Sequence, residues 1–369
     1  MKGVNKMAIK FEKKMLDIRR FEAACVFDVN NDGVLDIVCG EYWYEGPKFE
    51  KLHRICHIGR SDDCFYDFSD YGMDVDGDGF IDIITGSWHE KNISWRKNPG
   101  NDNDLWIEHL IDNPGFVETI RFIDIDGCGF PEVIPNTPEN PQHIYKLDRN
   151  ESGKGTGLFK KYIISSGKSR HGMGFGDINN DGKIDIILSN GWLEQPVDGP
   201  YNSEWIFHDE GFDFGSASVP ILSLDITGNG LLDLIVGKAH DYGLAWYEQI
   251  ISSDNKRKWV IHDIDNTVSQ YHDMCLADID NDGEPELITG KRYWAHKDKD
   301  PGSYDPLGLY YFKINKGKFE KHVIDYGRVC EASGCGIYMW IADLDGNGLL
   351  DIVAPGNDGL FLFKNLGNI

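Results

Sequence analysis

Long apolar runs are missing from this chain of 369 residues. No stretch approaches the roughly 20 consecutive apolar residues of a membrane-spanning helix, so that kind of anchor is not expected. Positive charge is scarce as well. Lys and Arg number 37 against 61 Asp and Glu, and the formal net charge is −24. No basic patch forms, which argues against nucleic acid and against an anionic membrane as partners. Helical periodicity is absent throughout. The eight cysteines are scattered, with no CxxC pair. Cys25, Cys39 and Cys275 fall in strand-like patterns and read as small buried thiols, and Cys330 and Cys335 read as a free pair. The opening MKGVNKMAIKFEKKMLDIRR has no apolar h-region, so a cytoplasmic protein is expected.

What is present is a repeat. Seven acidic loops start at Asp28, Asp74, Asp124, Asp177, Asp225, Asp278 and Asp343, with successive spacings of 46, 50, 53, 48, 53 and 65 residues. Periods of this length mark solenoids, propellers or arrays. The pattern is D-x-[DNT]-x-[DN]-G-x-x-[DE]. Oxygen side chains at positions 1, 3, 5 and 9 converge if the chain turns tightly, and the Gly at position 6 permits the turn. That chemistry suits Ca²⁺. Six loops are complete. Position 1 is Asp28, Asp74, Asp177, Asp225, Asp278 and Asp343, and position 3 is Asn30, Asp76, Asn179, Thr227, Asp280 and Asp345. Position 5 is Asp32, Asp78, Asp181, Asn229, Asp282 and Asn347, and position 9 is Asp36, Asp82, Asp185, Asp233, Glu286 and Asp351. The third loop is degraded, with Cys128 at position 5 and Glu132 at position 9.

An EF-hand would need Glu at position 12, where this chain has Cys39, Thr85, Leu188 and Val236, and it would need flanking helices. Here each loop opens instead into a β-branched run such as DIVCG, DIITG or DIILS. An aromatic third strand follows (ISWRKN, LAWYEQI, LYYFKI, LFLFKN), and then a fourth (WIEHLID, WVIHDID, FEKHVID). Four short antiparallel strands per repeat make a propeller blade. The last repeat stops after its third strand, whereas FEKKMLD at 11–17 matches FEKHVID at 319–325. The expectation is an all-β chain: one seven-bladed ring over 1–369, with the strand at 8–17 completing blade 7 and removing a free edge.

Blade geometry then predicts a site. Residues just before the first strand and just after the second meet on the rim opposite the acidic loops. Six residues before each loop stand Glu22, Phe68, Glu118, His171, Val219, His272 and Ile337; fifteen after it stand Trp43, His89, Glu139, Trp192, His240, Tyr293 and Asp358. His296 lies three beyond Tyr293, with Asp67, Asp241, Asp273, Trp88, Trp294, Lys238, Lys291 and Arg292 nearby. Histidines, carboxylates, bases and aromatic platforms converging from different blades have the form of an active site. His53, His57, His109, His208, His262 and His322 fall on outer strands or connections and read as structural; His143 is undecided. The insertions at 194–204 and 296–306 add walls to the same rim.

The loops resemble FG-GAP/VCBS repeats, and Phe175-Gly176 ahead of Asp177 retains the FG. HGMGFGDINNDGKIDIILSNGWLEQP at 171–196, YHDMCLADIDNDGEPELITGKRYWAH at 271–296 and EYWYEGP at 41–47 resemble the propeller of the aldos-2-ulose (1,5-anhydro-D-fructose) dehydratases and their bacterial relatives. The similarity spans essentially the whole chain, without the further propeller and cupin domains of the fungal enzymes. It implies elimination of water or a glycosyl group from a small keto-sugar. By that resemblance His171 and His272, with Glu118 as a third, would hold a catalytic divalent metal (Zn²⁺, Mg²⁺ or Mn²⁺). His240 or His89 would serve as acid and base. Trp43, Trp192, Tyr293 and His296 would meet the sugar, and Lys238 or Arg292 would bind its oxygens. A polysaccharide lyase or glycosidase on the same ring, or a non-catalytic carbohydrate- or protein-binding ring, are the rival readings, because a fold alone does not fix function. The oligomeric state is left open, a dimer included.

Overall fold

The computed structural model describes residues 8–60, 65–100 and 104–368, and no helix forms among them. Their 28 strands fall into seven four-stranded antiparallel sheets. Blades 1 to 6 span 25–54, 69–112, 119–165, 173–208, 222–269 and 271–327, each with its strands hydrogen-bonded in chain order. Blade 7 takes three strands from 340–368 and its outermost strand, Ile9–Asp17, from the other end of the chain. Phe11 pairs with Asn365 and Met15 with Phe361, so the ring closes as the sequence match predicts. No described helix is long and apolar enough to cross a membrane.

The acidic loops join the first and second strands of each blade. The ninth-position side chain opens the second strand and is buried in all six complete loops. Asp36 shows what it does: one oxygen accepts the Val29 N–H at 2.9 Å and the other accepts the Gly46 N–H at 2.8 Å. Asp82, Asp185, Asp233 and Asp351 make the same double clamp. This carboxylate therefore clips the loop to the third strand. Positions 1, 3 and 5 gather on their own, as in Asp74, Asp76 and Asp78 or Asp278, Asp280 and Asp282. In several loops a lysine reaches that gathering: Lys97 bonds Asp76 and Asp78, and Lys313 bonds Asp280.

Apolar side chains from neighbouring sheets fill the space between blades. Ala24, Ile37 and Tyr44 of blade 1, for example, pack with Leu344, Val353 and Leu362 of blade 7. At the outer edge of this core, an aromatic ring on the third strand stacks on a histidine directly across from it on the fourth. Trp43–His53, Trp95–His109, Trp192–His208, Trp246–His262 and Tyr311–His322 repeat this with ring centroids 4.1 to 4.6 Å apart. Cys25, Cys39 and Cys335 are buried and Cys330 is exposed, all as free thiols.

Candidate metal centre

Strand register brings four side chains to the end of the channel away from the acidic loops. Glu118 immediately precedes the inner strand Thr119–Ile123 of blade 3, and His171 precedes Met173–Gly176 of blade 4. His272 lies in the inner strand Tyr271–Ala277 of blade 6, and His240 follows the second strand Asp233–Gly237 of blade 5. One ligand-type atom from each lies within 4.8 Å of all the others. Glu118 Oε1 is 2.9 Å from His272 Nε2 and 3.3 Å from His171 Nε2. His171 Nε2 and His240 Nε2 are 3.2 Å apart.

The partners decide the tautomers. His171 Nδ1 donates to the Ala217 carbonyl at 2.7 Å, and His240 Nδ1 donates to the Asp300 carboxylate at 3.0 Å. Both acceptors lack protons, so each imidazole carries its hydrogen on Nδ1. The two Nε2 lone pairs then face each other, an arrangement that a cation against them would stabilise. Burial, ahead of the neighbouring His171, pushes the His240 imidazole down to about 4. Burial also holds His272 well below its ordinary value, and its Nδ1 is buried with no hydrogen-bond partner. Burial pushes the Glu118 carboxyl up, but the His171 and His272 imidazoles outweigh it and hold that carboxyl well below its usual range. Three imidazoles and one carboxylate fit a divalent ion of the manganese-to-zinc series better than Mg²⁺, which prefers oxygen.

The cluster floors a cavity of about 320 Å³ to which all seven blades contribute: Glu22, Phe68, Trp88, His89, Glu118, His171, Ser216, His240, Arg292, Ala295, His296 and Asn357 line it. A larger hollow of about 710 Å³ opens beside the acidic loops of blades 5 and 6, lined by Asp225, Asp282 and Lys313 among others. No imidazole lines it, so the smaller cavity is the candidate site.

Several expected site residues arrive, and several do not. His171, His272 and Glu118 meet as expected. His240 joins them, its Nε2 3.2 Å from His171 Nε2. His89 lines the cavity but stacks on Tyr66 at 4.2 Å, outside the metal set. Arg292 also lines it, and its guanidinium is bidentate to Glu22 at 3.0 and 2.8 Å. Trp43 and Trp192 are not platforms. They are 3% and 2% exposed and stack on His53 and His208. In blades 1 and 4 the second strand ends at Cys39 and Leu188 and the third begins at Tyr42 and Gly191. Fifteen residues past the Asp therefore overshoots the rim. In blade 2 the turn from Ser87 to Asn92 is longer, and His89 stays on it.

Tyr293 and Lys238 do not line the cavity, and Lys238 Nζ donates to the Phe214 carbonyl at 2.7 Å. Asp67 is buried beside Arg96, and Asp273 pairs with Arg121 at 2.8 Å. His143 lies buried in the strand Gln142–Arg149. Sequence reasoning missed Ser216, Asn357 and Asp300. Only Asp300 left a signal, as an acid four residues beyond a rim histidine inside an insertion already assigned to the wall.

Fold and site together define a seven-bladed β-propeller with three imidazoles and a carboxylate gathered at one mouth of its channel. No family model and no curated protein matches the chain. Among solved structures it is similar to an Agrocybe aegerita lectin described as recognising non-reducing terminal N-acetylglucosamine. The identity is 15%, covering 95% of this chain and 91% of the lectin, with a TM-score of 0.45. It is also similar to the V. cholerae biofilm matrix protein Bap1, at 13% identity over 98% of this chain and 92% of that one, with a TM-score of 0.48.

Proposed function

We propose that the protein is a metal-dependent carbon–oxygen lyase that eliminates water or a glycosyl group from a keto-sugar. The facing Nε2 lone pairs of His171 and His240 beside the Glu118 carboxylate carry the metal-dependent part of this reading. Glu118, His171, His240 and His272 would hold the ion, and a bound divalent ion supplies Lewis-acid polarisation of a carbonyl. The chain's own residues bind and orient the substrate. Phe68 and Trp88 offer an apolar wall to a sugar ring, and Ser216 and Asn357 offer a hydroxyl and an amide. Arg292 is already matched by Glu22, which suits a neutral sugar over a uronate. The keto-sugar itself rests on the resemblance of 171–196 and 271–296 to the aldos-2-ulose dehydratases. Calcium in the six complete acidic loops belongs to the same proposal and serves as scaffold.

Metal analysis of the dialysed protein should find one transition-metal ion per chain besides calcium. Glu118→Gln and His171→Ala should each bind that ion at least roughly 10-fold more weakly with the fold retained. Turnover of 2-keto and 3-keto sugars and glycosides, followed by enone absorbance, should fall with it. A wild-type protein that holds calcium alone and turns over none of them would sink the reading.

The second reading is a ring that binds carbohydrate without reaction. The cavity wall favours it, since Glu22, Ser216, Asn357, Phe68 and Trp88 form a hydrogen-bonding and stacking set that needs no metal to hold a sugar. Sugar binding that survives removal of the transition metal, with no product formed, would select it.

A further inference from the structure

The metal set leaves one arm of the cavity unexplained. Asp300 sits in the 296–306 insertion. Its Oδ2 receives His240 Nδ1 at 3.0 Å and Gln270 Nε2 at 3.2 Å. His296 Nδ1 approaches the same carboxylate, 3.3 Å from Oδ1 and 3.2 Å from Oδ2. The His296 ring lies over the His240 ring, with centroids 4.6 Å apart and 26° between the planes. Two imidazoles thus share one acid. His240 turns inward to the metal set, whereas His296 lines the cavity with a side chain 55% exposed.

The arm is held firmly. Lys291 is buried, and its Nζ donates to the Gly302 carbonyl at 2.7 Å and to Gln270 Oε1 at 3.1 Å. Ser303 Oγ donates to the Asp300 carbonyl at 2.6 Å. Trp294, His296 and Lys297 all have left-handed backbones, with φ of 51°, 53° and 64°. Three such non-glycine residues within four positions cost free energy, and strain of this kind persists where surrounding structure imposes a geometry. Here Lys291, Gln270 and Asp300 impose it, and the outcome is the placement of His296.

We propose that His296 is the acid–base group of this site and Asp300 its positioning residue; this rests on the lyase reading above. Nδ1–H faces the Asp300 carboxylate, so Nε2 is the basic end. Nε2 takes the proton from the carbon beside the substrate carbonyl. The C–H electron pair becomes the new C=C bond, and the C–O bond on the next carbon breaks. The leaving oxygen takes the proton back from His296 Nε2 and departs as water or an alcohol. No oxidant or reductant is required.

The test compares wild type, His296→Ala and Asp300→Asn for metal content, kcat, KM and exchange of the substrate's α-hydrogen in D2O. His296→Ala should keep the transition metal, leave KM little changed and lose roughly 100-fold or more in kcat. It should also lose α-hydrogen exchange, and added imidazole should restore part of both. Asp300→Asn should lower kcat roughly 10-fold or more without rescue by imidazole. Turnover by His296→Ala within about threefold of wild type, a small transition-state loss on the free-energy scale, would overturn the proposal. So would loss of the metal together with the rate, which makes His296 a ligand. A wild type with neither transition metal nor turnover defeats the lyase reading itself, and is distinguishable from both.

Discussion

Asp70 is fully buried, and its carboxyl hydrogen-bonds the neighbouring carboxyl of Asp67. Burial pushes its carboxyl well above the usual range, and the neighbouring Asp67 charge pushes it further. Arg96, also buried, pairs with Asp67 at 3.5 Å, and Thr85 donates its hydroxyl to the same acid. Arg96 also meets the more exposed Glu108 at 3.3 Å, so the guanidinium faces Asp67 and Glu108 while Asp70 is the acid held protonated. Two substitutions separate these roles. Asp70→Asn keeps a neutral, donating group of the same shape and should change stability by no more than about 0.5 kcal/mol, the scatter of mild substitutions. Arg96→Met leaves the Asp67 charge buried without its partner and should cost about 3–5 kcal/mol. Denaturant unfolding of both variants checks this. A loss from Asp70→Asn as large as that from Arg96→Met would show Asp70 to be ionised.

At the scale of the element, the acidic loops carry a pH signature. Burial raises the ninth-position carboxyls to about 6 in Asp36, Asp185 and Asp233, and to about 7 in Asp82 and Glu286. The folded values exceed the unfolded ones, so without a cation these groups favour the fold fully below about pH 4 and lose that contribution as pH rises through 6 to 7. A bound cation favours the ionised form and offsets the loss. The rise in Tm produced by Ca²⁺ over chelator should therefore be larger at pH 8 than at pH 5. Equal shifts at the two pH values would count against calcium in the loops.

These loops also show what the sequence makes legible. Their period and their Gly-terminated acidic turns expose the blade count, and the FEKKMLD match exposes the closure, because both are local patterns repeated along the chain. Glu118, His171 and His272 follow by counting back the same six residues from each loop, because the inner strand runs from rim to loop with no turn between them. Counting forward fails for Trp43 and Trp192, because the second turn differs in length between blades and no residue type announces it. The sharing of Asp300 by His240 and His296 depends on the path of an irregular insertion, which periodicity does not reach.

At the scale of the molecule, the strand Ile9–Asp17 ties three blades together. It pairs along Gly359–Asn368 of blade 7, and Asp17 accepts the Tyr44 hydroxyl of blade 1 at 2.7 Å. Lys13 reaches Asp325 of blade 6. Behind the strand lie Phe361, Leu362 and Phe363, all buried. Removing residues 1–17 would turn Gly359–Asn368 into an open, apolar strand edge, the kind that pairs with other chains. It would also remove the Asp17–Tyr44 and Lys13–Asp325 ties of blade 7 to its neighbours, leaving the seam to the apolar packing between blades. The truncated protein should melt at lower temperature and associate in a concentration-dependent way in size-exclusion chromatography. A synthetic strand of residues 8–17 should reverse both effects. The cavity at the channel mouth draws Glu22 from blade 1 and Asn357 from blade 7, on the two sides of that seam, so binding there should weaken along with the closure. A truncated chain that stays monomeric with an unchanged Tm would show that the ring holds without its closing strand.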